Sequence, residues 1–228
     1  KAGLLVYPGA RYAGRVQVVD IGIPASFMAG EGITDRALTF DHACRLLRPR
    51  DPEAHKGDCG HVLVVAGTRG KTGAAIMACR AAMRTGAGLT TLAGPRSLND
   101  IFASSLVEVM TEPLGDSGAE NIEELSEEEW RRLLERKDAF LFGPGIGVNE
   151  STHNALRWLL RNLEMPWVID ADGLNNLVLE IDRLRQAKTP PILTPHPGEM
   201  ARLIGKDNAA VNQDRVGIAR SFAVANRC

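Results

Sequence analysis

Four segments bracketed by glycine or proline hold the side chains best placed to do chemistry. The first, Gly67-Thr-Arg-Gly-Lys71-Thr72-Gly73, follows an apolar run and precedes a helix of small residues. Glycines there let the backbone approach a phosphate, and the helix start adds N–H donors and partial positive charge. A Walker A loop needs glycine at position 65, where Val65 stands, so the regular motif fails. A tight strand-to-helix turn is the plain alternative. The second segment, Phe142-Gly-Pro-Gly145-Ile-Gly147, is a rigid loop with little side-chain bulk, suited to close approach by a flat or phosphorylated ligand. The third, Asp170-Ala-Asp172-Gly-Leu-Asn175, offers two carboxylates that could hold Mg²⁺ or orient a phosphoryl group. Asp172 as a simple helix N-cap is compatible with that role. In the fourth, Thr194-Pro-His196-Pro-Gly-Glu199, two prolines fix the backbone around one histidine, and Glu199 falls in the next first turn. Such rigid presentation suits a ligand contact.

Positioning these segments requires strands that end together. The apolar runs 62–66, 89–93, 106–110, 139–142, 167–170 and 192–194 read as strands, each followed by turn residues and a helical stretch. Apolar strands alternating with helices predict an α/β fold: a mostly parallel sheet covered on both faces. Right-handed crossovers then bring the four segments to one edge of that sheet. Residues 74–85 and 211–228 are expected helices. Ser126-x-x-Glu129, with Leu125 and Trp130 at staple spacing, predicts a well-capped surface helix inside an acidic stretch, not an acidic binding site. Nearer the amino terminus, 14–23 reads as a strand and 40–47 as a short helix, with a domain boundary near residue 30.

Composition narrows the classes. The 228 residues carry 27 Lys+Arg against 28 Asp+Glu, a net charge of −1, which gives no nucleic-acid footprint. With 44% hydrophobic and 24% charged residues the chain is ordinary globular protein, and no run of about 18 uncharged apolar residues marks a membrane span. Four cysteines in this length point to a reducing, cytoplasmic setting. His42, Cys44, His55, Cys59 and His61 lack the paired spacing of a zinc site, so no protein metal centre is expected. The hydrolase signatures G-x-S-x-G and H-E-x-x-H are missing as well. The chain starts at Lys1 and stops at Cys228 inside a helical pattern, and is expected to be a piece of something longer.

Taken in order, the motifs are more specific than singly. His55-Lys-Gly57, G-x-V-L-V-V-A-G, T-G-A-A, F-G-P-G-I-G, D-A-D-G-L-N and T-P-H-P-G-E together resemble the ADP/ATP-dependent NAD(P)H-hydrate dehydratase family over roughly residues 31–228. Residues 3–24, with L-L-V-Y-P-G and V-V-D-I-G-I-P, look like the tail of a preceding NAD(P)H-hydrate epimerase domain. The implied domains are therefore 1–30 and 31–228. The resemblance implies a ribokinase-like three-layer α/β/α fold, here C-terminally truncated. It also implies a lyase that returns the S epimer of NAD(P)H hydrate to NAD(P)H. ADP or ATP would phosphorylate the ring hydroxyl, with Mg²⁺ present, and phosphate would then leave; a homotetramer is usual. Matched residue by residue, Ala74, Gly145, Gly147 and His196 fall at hydrate-binding positions, with Asp172 and Glu199 added from their placement. The family's G-x-G-D base and its lysine-bearing nucleotide loop are not among these residues; Asp207 and Asp214 lack the flanking glycines. The chain as given is therefore expected to be inactive. Three other classes stay open: an ATP-dependent ligase, since G-T-x-G-K resembles the loop of the Mur and folylpolyglutamate ligases, a non-catalytic nucleotide-binding module, and a ribokinase-like small-molecule kinase.

Overall fold

The computed structural model describes residues 2–24, 26–27, 36–47 and 49–228, and divides into Lys1–Pro52 and Glu53–Cys228. The boundary expected near residue 30 lies outside the described residues. In the first unit, α1 (Ala10–Ala13) and α2 (Phe40–Leu46) are short, and Thr39 caps α2 by accepting the His42 N–H at 3.3 Å. The strand expected over 14–23 does not form. Strands persist only in pairs; here Val18 and Ile21 lie exposed, and Asp20 folds back to accept the Gly22 N–H at 2.8 Å.

Alternation along the strands dictates the architecture of the second unit. In β1 (His61–Val65), Leu63 and Val65 enter one buried cluster and Val64 another. A strand apolar on both sides must be covered on both. Five further strands follow: β2 (Leu89–Pro95), β3 (Met110–Leu114), β4 (Ala139–Phe142), β5 (Trp167–Ile169) and β6 (Ile192–Leu193). All pairings are parallel, in the order β3-β2-β1-β4-β5-β6. Ala75 and Cys79 of α3 (Thr72–Thr85) and Phe102 of α4 (Asn99–Ser105) cover one face. The other is covered by α5 (Glu127–Leu134), α6 (Glu150–Asn162), α7 (Asp172–Leu177), α8 (Ile181–Leu184), α9 (Pro197–Ile204), α10 (Asn208–Gln213) and α11 (Arg215–Asn226). Trp130 of α5 stacks on Trp158 of α6, with centroids 5.6 Å apart.

Two local expectations need correction. The strand expected at 106–110 begins only at Met110, because Leu106 closes α4 by donating its N–H to the Phe102 carbonyl. Pro113, which argues against a central strand, is tolerated because β3 is an edge. The single helix expected over 211–228 is two, broken at Asp214, whose carboxylate caps α11 by accepting the Gly217 N–H at 2.9 Å. By contrast, the capping box expected at Ser126 and Glu129 is present in both directions. Among the described residues no helix is long and apolar enough to cross a membrane.

Candidate functional site

Because β1 leads outward to β2 while β4 leads the other way to β5, their following loops diverge. Between them opens the crevice where open α/β sheets bind ligands. The Gly67–Gly73 and Gly143–Gly147 loops form its walls. They interlock through the backbone: the Gly67 N–H donates to the Pro144 carbonyl at 3.0 Å, and the Gly143 N–H to the Val65 carbonyl at 3.1 Å. Glycine is needed where they cross. At Gly145, φ is +63°, and a Cβ would lie 2.9 Å from the Lys71 carbonyl oxygen and 3.3 Å from the Ala74 Cβ. Gly143, at φ +122°, is tighter still: a Cβ would stand 2.1 Å from the Asp170 carbonyl oxygen.

The Asp170–Asn175 segment enters from β5. Ala171 takes φ +51° and ψ −118°, a conformation that L-residues other than glycine hold only when their surroundings enforce it. The bend sends Asp170 toward β6, where its Oδ1 accepts the Thr194 hydroxyl at 2.7 Å. It sends Asp172 into the crevice, where Oδ2 accepts Lys71 Nζ at 2.8 Å and the Gly147 N–H at 3.0 Å, while Oδ1 accepts Asn175 Nδ2 at 3.2 Å. Burial pushes the Asp172 carboxyl up, but the Lys71 and Gly147 hydrogen bonds, the lysine charge and Asn175 outweigh it. The net result lies below the usual carboxylate range. Asn176, fully buried, donates to the Gly147 carbonyl at 2.8 Å and accepts the Thr152 hydroxyl at 2.9 Å.

His196 is the N-cap of α9. Its Nδ1 accepts the N–H groups of Gly198 (3.0 Å) and Glu199 (3.4 Å), while Glu199 Oε2 accepts the His196 N–H at 2.9 Å. With Nδ1 accepting, the proton of the neutral ring lies on Nε2, 3.3 Å from Glu199 Oε1, on a side chain that is 63% exposed. Glu199 itself is buried. Arg202 of α9 donates to Asn175 Oδ1 at 2.9 Å, tying this helix to α7.

Of the residues singled out in the sequence, Ala74, Gly145, Gly147 and Asp172 thus meet directly across the crevice. His196 and Glu199 stand one strand further out, joined through Thr194–Asp170 and Arg202–Asn175. Lys71, Thr152 and Asn176 were not singled out as site residues. Nothing local in sequence marks the contact of Asn176 with Gly147, 29 residues earlier, or the Lys71–Asp172 pairing, whose members are 101 residues apart. That pairing commits Lys71 to a carboxylate, which does not favour a ligase-type phosphate loop. Among the described residues no three His, Cys, Asp or Glu side chains gather to hold a cation. The described side chains do not by themselves make a Mg²⁺ site; a metal there would need nucleotide phosphates among its ligands.

A parallel sheet with a glycine-walled switch point defines an open, doubly wound α/β protein. A ribokinase-like superfamily protein of Enterococcus faecalis V583 shares the fold, with a TM-score of 0.59 at 21% identity over 78% of this chain and 58% of that one. Sequence then gives the particular family: residues 62–228 match NAD(P)H-hydrate dehydratase, and the chain belongs to that family. The bifunctional NAD(P)H-hydrate repair enzyme of Moorella thermoacetica is 41% identical over 226 residues, covering 98% of this chain and 42% of the relative. The ADP/ATP-dependent NAD(P)H-hydrate dehydratase of Bacillus subtilis, co-crystallised with ATP and Mg²⁺, gives a TM-score of 0.64 at 28% identity, over 83% of this chain and 63% of that one. The chain thus spans less than half the length of the bifunctional relative it matches.

Proposed function

We propose that this chain forms the hydrate-binding part of an enzyme that repairs NAD(P)H hydrate. The observation that carries the reading is the meeting of Ala74, Gly145 and Gly147 at the switch point, with His196 at the end of β6 linked to it through Thr194 and Asp170. The glycine wall admits a flat ring to the backbone. The His196 ring, oriented by its own cap and largely exposed, offers an Nε2–H that stands against Glu199 Oε1 and can turn its hydrogen bond to the ring's polar substituents. Asp172 and Glu199 belong to the same site.

The chemistry suits such a wall. Hydroxide leaves poorly at neutral pH; transfer of the nucleotide's terminal phosphoryl group to the ring hydroxyl breaks the terminal phosphoanhydride bond, forms a new P–O bond, and releases the shortened nucleotide and the hydroxyl proton. Departure of phosphate then breaks the ring C–O bond, and loss of a ring proton completes the double bond. The protein's main task is to position two phosphorylated ligands, and Mg²⁺ accompanies the nucleotide in this reading. The bifunctional layout of the relatives favours ADP over ATP as donor. It also supports residues 1–30 as the end of an epimerase domain and 31–228 as dehydratase. A cytoplasmic homotetramer that binds neither nucleic acid nor membrane completes the reading.

The test is recovery of reduced-nicotinamide absorbance from NADH hydrate with ADP or ATP and Mg²⁺. A protein containing this chain together with a G-x-G-D segment should turn over, whereas the 228-residue chain alone should not. Turnover by the chain alone, or none by the longer protein, refutes the corresponding half. In the active protein His196→Ala should raise KM for the hydrate; an unchanged KM removes His196 from the site.

A further inference from the structure

We infer that Asp172, held by Lys71, is a positioning residue: it sets the peptide of Gly147 and so the glycine wall, and reaches the ligand only through that wall. The inference rests on the crevice reading above, and assigns to Asp172 a part within it.

Three observations carry it. First, Asp172 has little left to offer a ligand. A carboxylate has about four acceptor positions, and three are filled by Lys71 Nζ, the Gly147 N–H and Asn175 Nδ2. Second, Gly147 is clamped at two points by one helix: Asp172 takes its N–H and Asn176 donates to its carbonyl, so the orientation of the loop at this residue is fixed by α7. Lys71 sits beneath the same loop, with its backbone directly under Gly145, so one residue is both floor and strut. Third, the Ala171 backbone sits in a costly conformation that sends Asp170 and Asp172 to different partners. Such strain persists where surrounding contacts over-determine it.

The charge of Lys71 has a further consequence. Two phosphorylated ligands must meet in this crevice, and a bare carboxylate would repel both. Pairing with Lys71 lets a carboxylate anchor the loop while adding no net charge to the crevice.

The test has two arms. In the 228-residue chain, the Gly147 amide proton reads the hydrogen bond directly by NMR. Asp172→Asn and Lys71→Met should each move it upfield, and Lys71→Arg should leave it near its original position. In the longer, active protein the same two variants should raise KM for the hydrate about tenfold, the worth of one charge-assisted hydrogen bond. There kcat and the nucleotide KM should stay within about twofold, and Lys71→Arg should restore the hydrate KM. An unmoved Gly147 resonance overturns the positioning role. So does a fall in kcat, or a rise in nucleotide KM, with hydrate KM unchanged. Absence of any hydrate turnover in the unaltered longer protein refutes the dehydratase reading instead, and leaves the NMR arm to decide the strut.

Discussion

Three glycines that look alike in sequence should respond to alanine in opposite senses, and the structure gives the size of each response. At Gly143 the methyl group would meet backbone on two sides, 2.1 Å from the Asp170 carbonyl oxygen and 2.6 Å from the Gly173 nitrogen, with φ at +122°. Backbone strain of about 1–3 kcal/mol adds to overpacking of about 1–3 kcal/mol, so a loss of about 4 kcal/mol is expected. Gly70 has φ +81° but open space around it; only the strain of roughly 1–2 kcal/mol applies. Gly73 lies inside α3 with no positive φ and nothing within 4 Å. Alanine there should stabilise by about 0.5 kcal/mol, chiefly by restricting the unfolded chain. Tryptophan fluorescence is the suitable probe, since Trp130, Trp158 and Trp167 all lie in Glu53–Cys228. At about 2–4 °C per kcal/mol, Gly143→Ala should lower the unfolding midpoint by roughly 10 °C and Gly70→Ala by a few degrees, while Gly73→Ala raises it slightly. If Gly143→Ala proved no worse than Gly70→Ala, the close crossing of the β4 and β5 loops would be wrong.

Two further outcomes follow from groups away from the crevice. Burial, and secondarily the charge of Lys137, hold the His61 ring below its usual value against the opposing pull of Asp138. As pH falls below about 6.5 the unfolded chain takes the proton first, so stability should drop until the folded ring also protonates; the total should stay below about 1 kcal/mol for a partly exposed ring. His61→Gln should flatten that segment of a stability–pH curve, and an unchanged slope would assign it to other groups. Glu180, 2% exposed, accepts Arg157 Nε at 2.5 Å and Arg183 Nε at 2.7 Å. Glu180→Gln should cost about 2–3 kcal/mol by urea denaturation, less than a fully buried pair because both arginines can turn to water. A neutral result would show that the arginines were never bound by it.

The sequence announced the strand-end loops because each is written locally, as an apolar run followed by glycine or proline. It announced the capping box at Ser126 for the same reason. What failed was structure whose outcome depends on a partner. The β-branched stretch at 14–23 pairs with no strand among the described residues and stays exposed. The 106–110 run lost to a helix end, and its strand shifted onto a segment containing proline. The site shows the same division. Gly145 and Gly147 were legible from composition, His196 from its flanking prolines. Lys71 is legible only as part of a ligase-like G-T-x-G-K loop, because its pairing with Asp172 depends on strand order: β1 and β5 flank β4, and no local pattern states that.

The place of β1 at the centre of the sheet has a consequence in time. Its His61 N–H bonds to the Asp138 carboxylate, 77 residues later, just ahead of β4. During synthesis at about 5–20 residues per second, β1 emerges roughly 4–15 s, and β2 roughly 2–9 s, before the strand that closes the other flank. Val64 can find its cover early, against Ala75 and Cys79, whereas Leu63 and Val65 must wait with their apolar side bare. The ligand crevice, which lies between β1 and β4, therefore cannot begin to form until β4 has emerged. A nascent chain holding one finished face and one sticky face is the species that chaperones would meet.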